Sequence, residues 1–236
     1  MKLQASCLLN KENMMIESKV FSRTPAVSVG KELSSSVYNL IIGLTLLWGF
    51  AVNAYLVHTV PVETLTAINP VAFLIVYFAS CVAGIMLFSN SSIPAISFLG
   101  YNLVVVPFGL ALTLVLSDYD PELVKSAITV TAIVTLIMMT LSTLFPRFFA
   151  GLGSILLITL FCVIVAELVV VFVFKAHVGI IDWIVAALFC GYIGYDWHRA
   201  NNMPRTIDNA IDSAAAIYMD IINLFIRILR IMSGRN

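Results

Sequence analysis

Charge is what this sequence has least of. Only 11% of its 236 residues are Asp, Glu, Lys or Arg, and 61% are hydrophobic, where soluble domains carry roughly one quarter charged residues. With a mean hydropathy of +1.01, that balance excludes an ordinary soluble globule and indicates an integral membrane protein. Thirteen basic and thirteen acidic residues cancel, so there is no electrostatic case for a nucleic-acid partner. Cysteine is scarce too. Cys7, Cys81, Cys162 and Cys190 show neither a CxxC nor a Cys/His spacing, which argues against a metal centre or a disulfide framework. No cofactor is expected. His177 and His198 read as interface residues, since neither has a second histidine at ligand spacing. The first twenty residues mix Lys2, Lys11, Glu12 and Glu17 with a short apolar patch, unlike a signal peptide. Residues 1–36 therefore read as a polar cytoplasmic tail, and 37–236 as the membrane domain.

What is abundant is apolar runs, seven of them near the ~20 residues a helix needs to cross a bilayer. They are Val37–Val57, Val71–Phe88, Ile96–Leu116, Leu123–Phe145, Phe148–Phe174, Ile180–Arg199 and Ile211–Ile231. Ser34, Ser35 and Ser36 are candidate caps for the first, and Pro107 is expected to kink the third. Lys2, Lys11, Lys19, Arg23 and Lys31 precede the first span, so the positive-inside rule places the amino terminus in the cytoplasm. Alternation then keeps Arg147, Arg199 and Arg205 inside and the acidic Asp118, Asp120 and Glu122 loop outside. A seventh full crossing leaves Arg227 and Arg230 near the outer surface, against that rule. It is nonetheless favoured, because no Gly or Pro interrupts Ile211 to Ser233.

The last two spans hold the chemistry. On a wheel at ~100° per residue, Asp208, Asp212, Asp220, Asn223, Arg227 and Arg230 fall on one face of the seventh. Such a stripe cannot face lipid, so this helix should lie among the others, with Ala214, Ala215 and Ala216 permitting close approach. Acids lead and bases follow, as the helix dipole favours. Arg227 and Arg230, whose side chains can snorkel, read as part of a buried structural seam. Asp220 lies deep and reads as functional. Asp196, near the inner end of the sixth span, is 24 residues before it. If the intervening turn is centred at Asp208, the two carboxylates sit at equal depth and compete for one proton. Glu167 in the fifth span has no basic neighbour on its own helix. It reads equally as a second cation or proton site, along a path with Asp212 and Asn223, or as a protonated acid in a packed interior.

Three segments carry a family likeness: VKSAITVTAIVTLIMMTLSTLF (124–145), GYIGYDWHRA (191–200) and YMDIINLFIRILRIM (218–232). Together they resemble the transmembrane BAX-inhibitor-motif family, over about residues 37–233. The resemblance implies an all-α fold of seven transmembrane helices, the seventh central and ringed by the other six. It also implies a pH-sensitive calcium leak whose sensor maps onto Asp196 and Asp220. Bacterial relatives can carry a basic residue in the second helix that latches onto this sensor; Val71–Phe88 has none.

The expectation is thus a cation leak or exchanger in the cell membrane, with Ca²⁺ and protons as its ions and Asp196 and Asp220 as the oxygen ligands Ca²⁺ prefers. A non-transporting protein that modulates a membrane protease or a stress or cell-death response through a membrane protein partner is the alternative. An intramembrane aspartyl protease also uses two helical aspartates. Its second motif, Gly-x-Gly-Asp, is replaced here by Ile217-Tyr218-Met219-Asp220, so no enzyme is expected.

Overall fold

The computed structural model describes residues 32–170 and 179–234. Most of the expected tail, His177 and the end of the fifth apolar run lie outside those residues. The described residues form nine helices: α1 (Ser35–Thr59), α2 (Val62–Thr66), α3 (Pro70–Asn90), α4 (Pro94–Leu116), α5 (Pro121–Leu144), α6 (Pro146–Ala150), α7 (Gly153–Val169), α8 (Gly179–Asn201) and α9 (Ile207–Ser233). Five of them, α1, α3, α4, α5 and α8, are long and apolar enough to cross a membrane, and α7 is a shorter apolar helix. At 27 residues, α9 would reach ~40 Å. Its five charged residues set it apart from those five.

Helix starts follow local chemistry. Ser34 Oγ accepts from Val37 N–H, Asn69 Oδ1 from Val71 and Ala72 N–H, and Asp120 Oδ1 from Glu122 N–H, each meeting donors a helix start leaves open. Pro70, Pro94, Pro121 and Pro146 open four helices, where a missing N–H costs nothing. Pro146 therefore does not simply end the fourth apolar run; it starts α6, and the apolar helix of the fifth run, α7, begins at Gly153. Inside α4, Pro107 cannot bond the carbonyl of Leu103 one turn back. Ser80 of α3 donates its hydroxyl to that oxygen at 2.7 Å, so the lost backbone bond is replaced from a neighbouring helix.

Helix α9 is the most buried element, and it packs mainly against α8, α1, α5 and α4. These four are its principal neighbours among the described residues. Helices α3 and α7 stack instead on α4 and α8, one layer further out. The α3–α4 pair meets at two glycines. A Cβ on Gly84 would lie 2.5 Å from the Gly100 carbonyl oxygen, and one on Gly100 2.7 Å from that of Gly84. Away from this crossing the two helices, with α2, border an apolar cleft of about 500 Å³ lined by Leu65, Phe73, Tyr77 and Pro107.

Two outcomes follow. Gly84→Val or Gly100→Val should overpack the crossing and cost ~1–3 kcal/mol, read as a lower melting temperature in detergent. Gly43→Val, where a Cβ meets nothing within 4 Å, should melt like the parent. The Leu33 N–H also donates to the Arg205 carbonyl at 3.0 Å, fastening the chain before α1 to the α8–α9 turn. In sealed vesicles, Glu32→Cys and Asn202→Cys should therefore react with an impermeant thiol reagent from the same side. Opposite sidedness would contradict that contact.

Candidate polar site along the last helix

Helix α9 starts where Thr206 Oγ1 accepts from Asn209 N–H at 3.1 Å. Asn209 Nδ2 also donates back to the Pro204 carbonyl at 2.8 Å. The turn between α8 and α9 is therefore residues 202–206, centred near Pro204, and Asp208 already lies in the first helical turn. The expected turn at Asp208 is corrected by four residues, because Thr206, two residues earlier, supplies the cap. Asp196 lies five residues before the end of α8, and Asp220 thirteen residues into α9. Equal depth counted along the chain is thus not what relates them. At the far end the chain leaves α9 through Gly234 in the left-handed region (φ 61°), which glycine reaches without strain.

Near the turn, the stripe is met by side chains from α1 and α4. Asp208 accepts from Ser97 Oγ of α4 at 2.6 Å. The Tyr38 hydroxyl of α1 donates to the Asn209 carbonyl at 3.3 Å and lies 3.4 Å from Ser213 Oγ. Asp212 is buried among them. Midway along, Asn53 Nδ2 donates to the Tyr218 hydroxyl at 2.6 Å. The Tyr218 ring meets Tyr101 edge-on, and Phe50 and Phe108 flank it. Gly49 keeps this space open, since a Cβ there would strike the Tyr101 hydroxyl and the Tyr218 ring.

Asp220 is buried and Asp196 half-buried. The phenol of Tyr192, on α8, lies in the electrostatic reach of both carboxylates. Tyr192 was not singled out from sequence, although it lies one turn before Asp196, at the i−4 spacing that shares a helix face. Asn223 donates to the Met219 carbonyl of its own helix at 2.8 Å, so part of its amide is engaged locally.

At the far end, Arg227 and Arg230 form a polar seam whose partners come from two other helices. The Arg227 guanidinium meets Glu167 of α7 with both terminal nitrogens, at 2.5 and 3.0 Å, and Asp182 of α8 at 2.7 Å. Arg230 stands 3.7 Å from the same Asp182 oxygen. The reason is charge. Asp182 is 0% exposed, and a buried carboxylate is tolerated only with counter-charge and hydrogen bonds. Glu167 therefore faces a cation on another helix, an ion-paired position that differs from the neutral packed acid among the readings above. Asp182 was missed altogether. Residues 182 and 227 are equidistant from the real turn near Pro204, so equal-depth reasoning finds this pair once the turn is placed.

The geometry divides the stripe into two parts. One is an acid-rich region from Asp208 to Asp220, joined by Asp196 and Tyr192; the other is an ion-paired cluster at the opposite end. Among the described residues no group of three or more His, Cys, Asp or Glu side chains is arranged to hold a metal.

Comparisons with known proteins place this architecture. The Golgi anti-apoptotic protein of Vaccinia virus (strain Lister) is 30% identical over 128 residues, covering 54% of each chain. Protein lifeguard 4 of Mus musculus is 30% identical over 128 residues, 54% of this chain and 53% of its own. The inner membrane protein YbhL of Escherichia coli (strain K12) is 28% identical over 137 residues, 54% and 58% respectively. The chain thus spans about half the length of these curated relatives. The family pattern described as "Inhibitor of apoptosis-promoting Bax1" extends over residues 31–236, from just before α1 to the end of the chain and so across the whole polar stripe; the chain belongs to that family.

Proposed function

We propose that the chain is a pH-sensitive cation leak or exchanger, with Ca²⁺ as the transported ion, controlled by Asp196 and Asp220. In this reading it crosses the cell membrane seven times, with α9 at the centre and the amino terminus cytoplasmic, as the basic residues before α1 favour. The observation that carries the proposal is that α8 and α9, the most extensively packed helix pair among the described residues, each bring a buried or half-buried carboxylate within electrostatic reach of Tyr192. Two acids and a phenol gathered between helices of a membrane domain form a set whose charge depends on proton occupancy. Like charges on the two acids repel, so they titrate as a pair. With a shared proton they hold α8 to α9; without it the helices separate unless a cation enters. Ca²⁺ needs six to eight oxygens. Two aspartates supply too few for a resident ion, which suits cargo that keeps part of its water while passing. Asp212 lies on the same buried face, towards the turn, and would extend the path.

A second reading is favoured by the printed names of two relatives, one "anti-apoptotic" and one "lifeguard". In it the chain is a non-transporting membrane partner in a cell-death or stress response.

Liposomes loaded with Ca²⁺- and pH-sensitive dyes separate the two. The full chain should pass Ca²⁺ at a rate that changes with pH. Asp220→Asn should flatten the pH profile, Asp196→Asn should do much the same, and the double change should add little, as for two members of one unit. No flux at any pH would remove the leak reading and leave the partner reading. Flux with an unchanged profile in both single variants would remove the aspartates from the mechanism.

A further inference from the structure

The ion-paired cluster at the far end of α9 is not used by the aspartate mechanism. Its setting is uneven. Helix α7 packs chiefly on α8, and Leu156, near its start, is its one fully buried side chain among the described residues. That near end is well seated. Leu156 fills the space left by Gly191, and Gly153 lies under the Tyr195 ring. In its far half Ile164, Val165, Leu168 and Val169 are exposed, an apolar surface that no other part of the described fold covers. Val163 and Leu160 give partial packing. Beyond these, Glu167 holds the far half of α7 to the bundle through Arg227, and its side chain is 30% exposed.

The other side of the cluster is fixed. Asp182 is fully buried and meets Arg227 at 2.7 Å and Arg230 at 3.7 Å. Arg227 is anchored by α8 whether or not α7 is in place. One carboxylate keeps the guanidinium still, and the second, on the lightly packed helix, is the one that can leave. A bidentate guanidinium–carboxylate pair has the directionality to define a single closed position.

We propose that Glu167 and Arg227 form a latch that closes the end of the bundle opposite the α8–α9 turn by holding the far half of α7 against α9, with Asp182 as the residue that positions Arg227. Release of Glu167 swings α7 outward about its Leu156 end and opens a mouth bordered by carboxylates and Arg227. External cations would favour the open form by competing with Arg227 for Glu167. As a gate on ion passage the latch rests on the leak reading above; as a conformational device it does not.

The test uses the full chain in nanodiscs, with the four native cysteines replaced by alanine and spin labels at Val165→Cys and Ile184→Cys. Both positions are exposed, on α7 and α8. The parent should give a single narrow distance. Glu167→Gln and Arg227→Gln should each shift it outward and broaden it, whereas Arg227→Lys should stay closer to the parent. Asp182→Asn, which leaves the Glu167–Arg227 pair in place, should keep a population at the parent distance. Glu167→Gln removes a partly exposed acid and leaves Arg227 its Asp182 partner, so it serves should Arg227→Gln fail to fold. An unchanged distance in Glu167→Gln overturns the latch. Ca²⁺ flux of the same variants in liposomes distinguishes the two proposals. A several-fold rise with the outward shift supports both. An outward shift without flux in parent or variants leaves the latch and removes the leak. A rise in flux without a shift removes the latch alone.

Discussion

Inside a bilayer there is no water to solvate a carboxylate or a guanidinium, so each charged side chain at depth must be met by another protein group. Much of this architecture follows from that constraint acting on one helix. Helix α9 carries Asp208, Asp212, Asp220, Arg227 and Arg230 within 23 residues of chain (208–230), and α1, α4, α5 and α8 are gathered against it. Ser97 answers Asp208, Asn53 answers Tyr218, and Asp182 with Glu167 answers Arg227. The apolar helices α3 and α7 carry less of this demand and stand further out.

The same constraint gives the two ends of the stripe different character. Where acid meets base, at Arg227, charge is neutralised and the geometry is fixed by directional hydrogen bonds. Around Tyr192 the acids Asp196 and Asp220 both lie within electrostatic reach of one phenol. A helix dipole with its positive end at the α8–α9 turn favours the acids near that end and the arginines near the other. Helix polarity and charge order therefore reinforce each other along the axis.

Membership in the Bax1 inhibitor family agrees with this division without explaining all of it. The family pattern covers nearly all the described residues, whereas the individual relatives align with about half. The second span, α3, carries no basic residue. It presents Tyr77, whose ring lies 5.5 Å from that of Phe108, itself 6.1 Å from Tyr218. Contact between α3 and the polar stripe thus runs through aromatic packing, and the structure's strong charge pairing is found on the α7–α8 side.

Composition and apolar run length determine by themselves that this chain is helical and membrane-embedded, because burying backbone polar groups without water leaves few other choices. Proline and asparagine place several helix starts, since caps act over three or four residues. The polar face of α9 is equally legible, as periodicity is a property of one segment. Beyond that reach sequence stops short. Which side chain meets Arg227 depended on where the α8–α9 turn falls, and a threonine cap two residues before the expected centre moved the register of the whole hairpin. That Ser80 completes the Leu103 carbonyl, that Gly84 faces Gly100, and that Glu167 crosses from α7 to α9 are contacts between distant segments. Such contacts are decided by how helices pack in three dimensions, because no local propensity encodes a partner 60 residues away (Glu167 to Arg227).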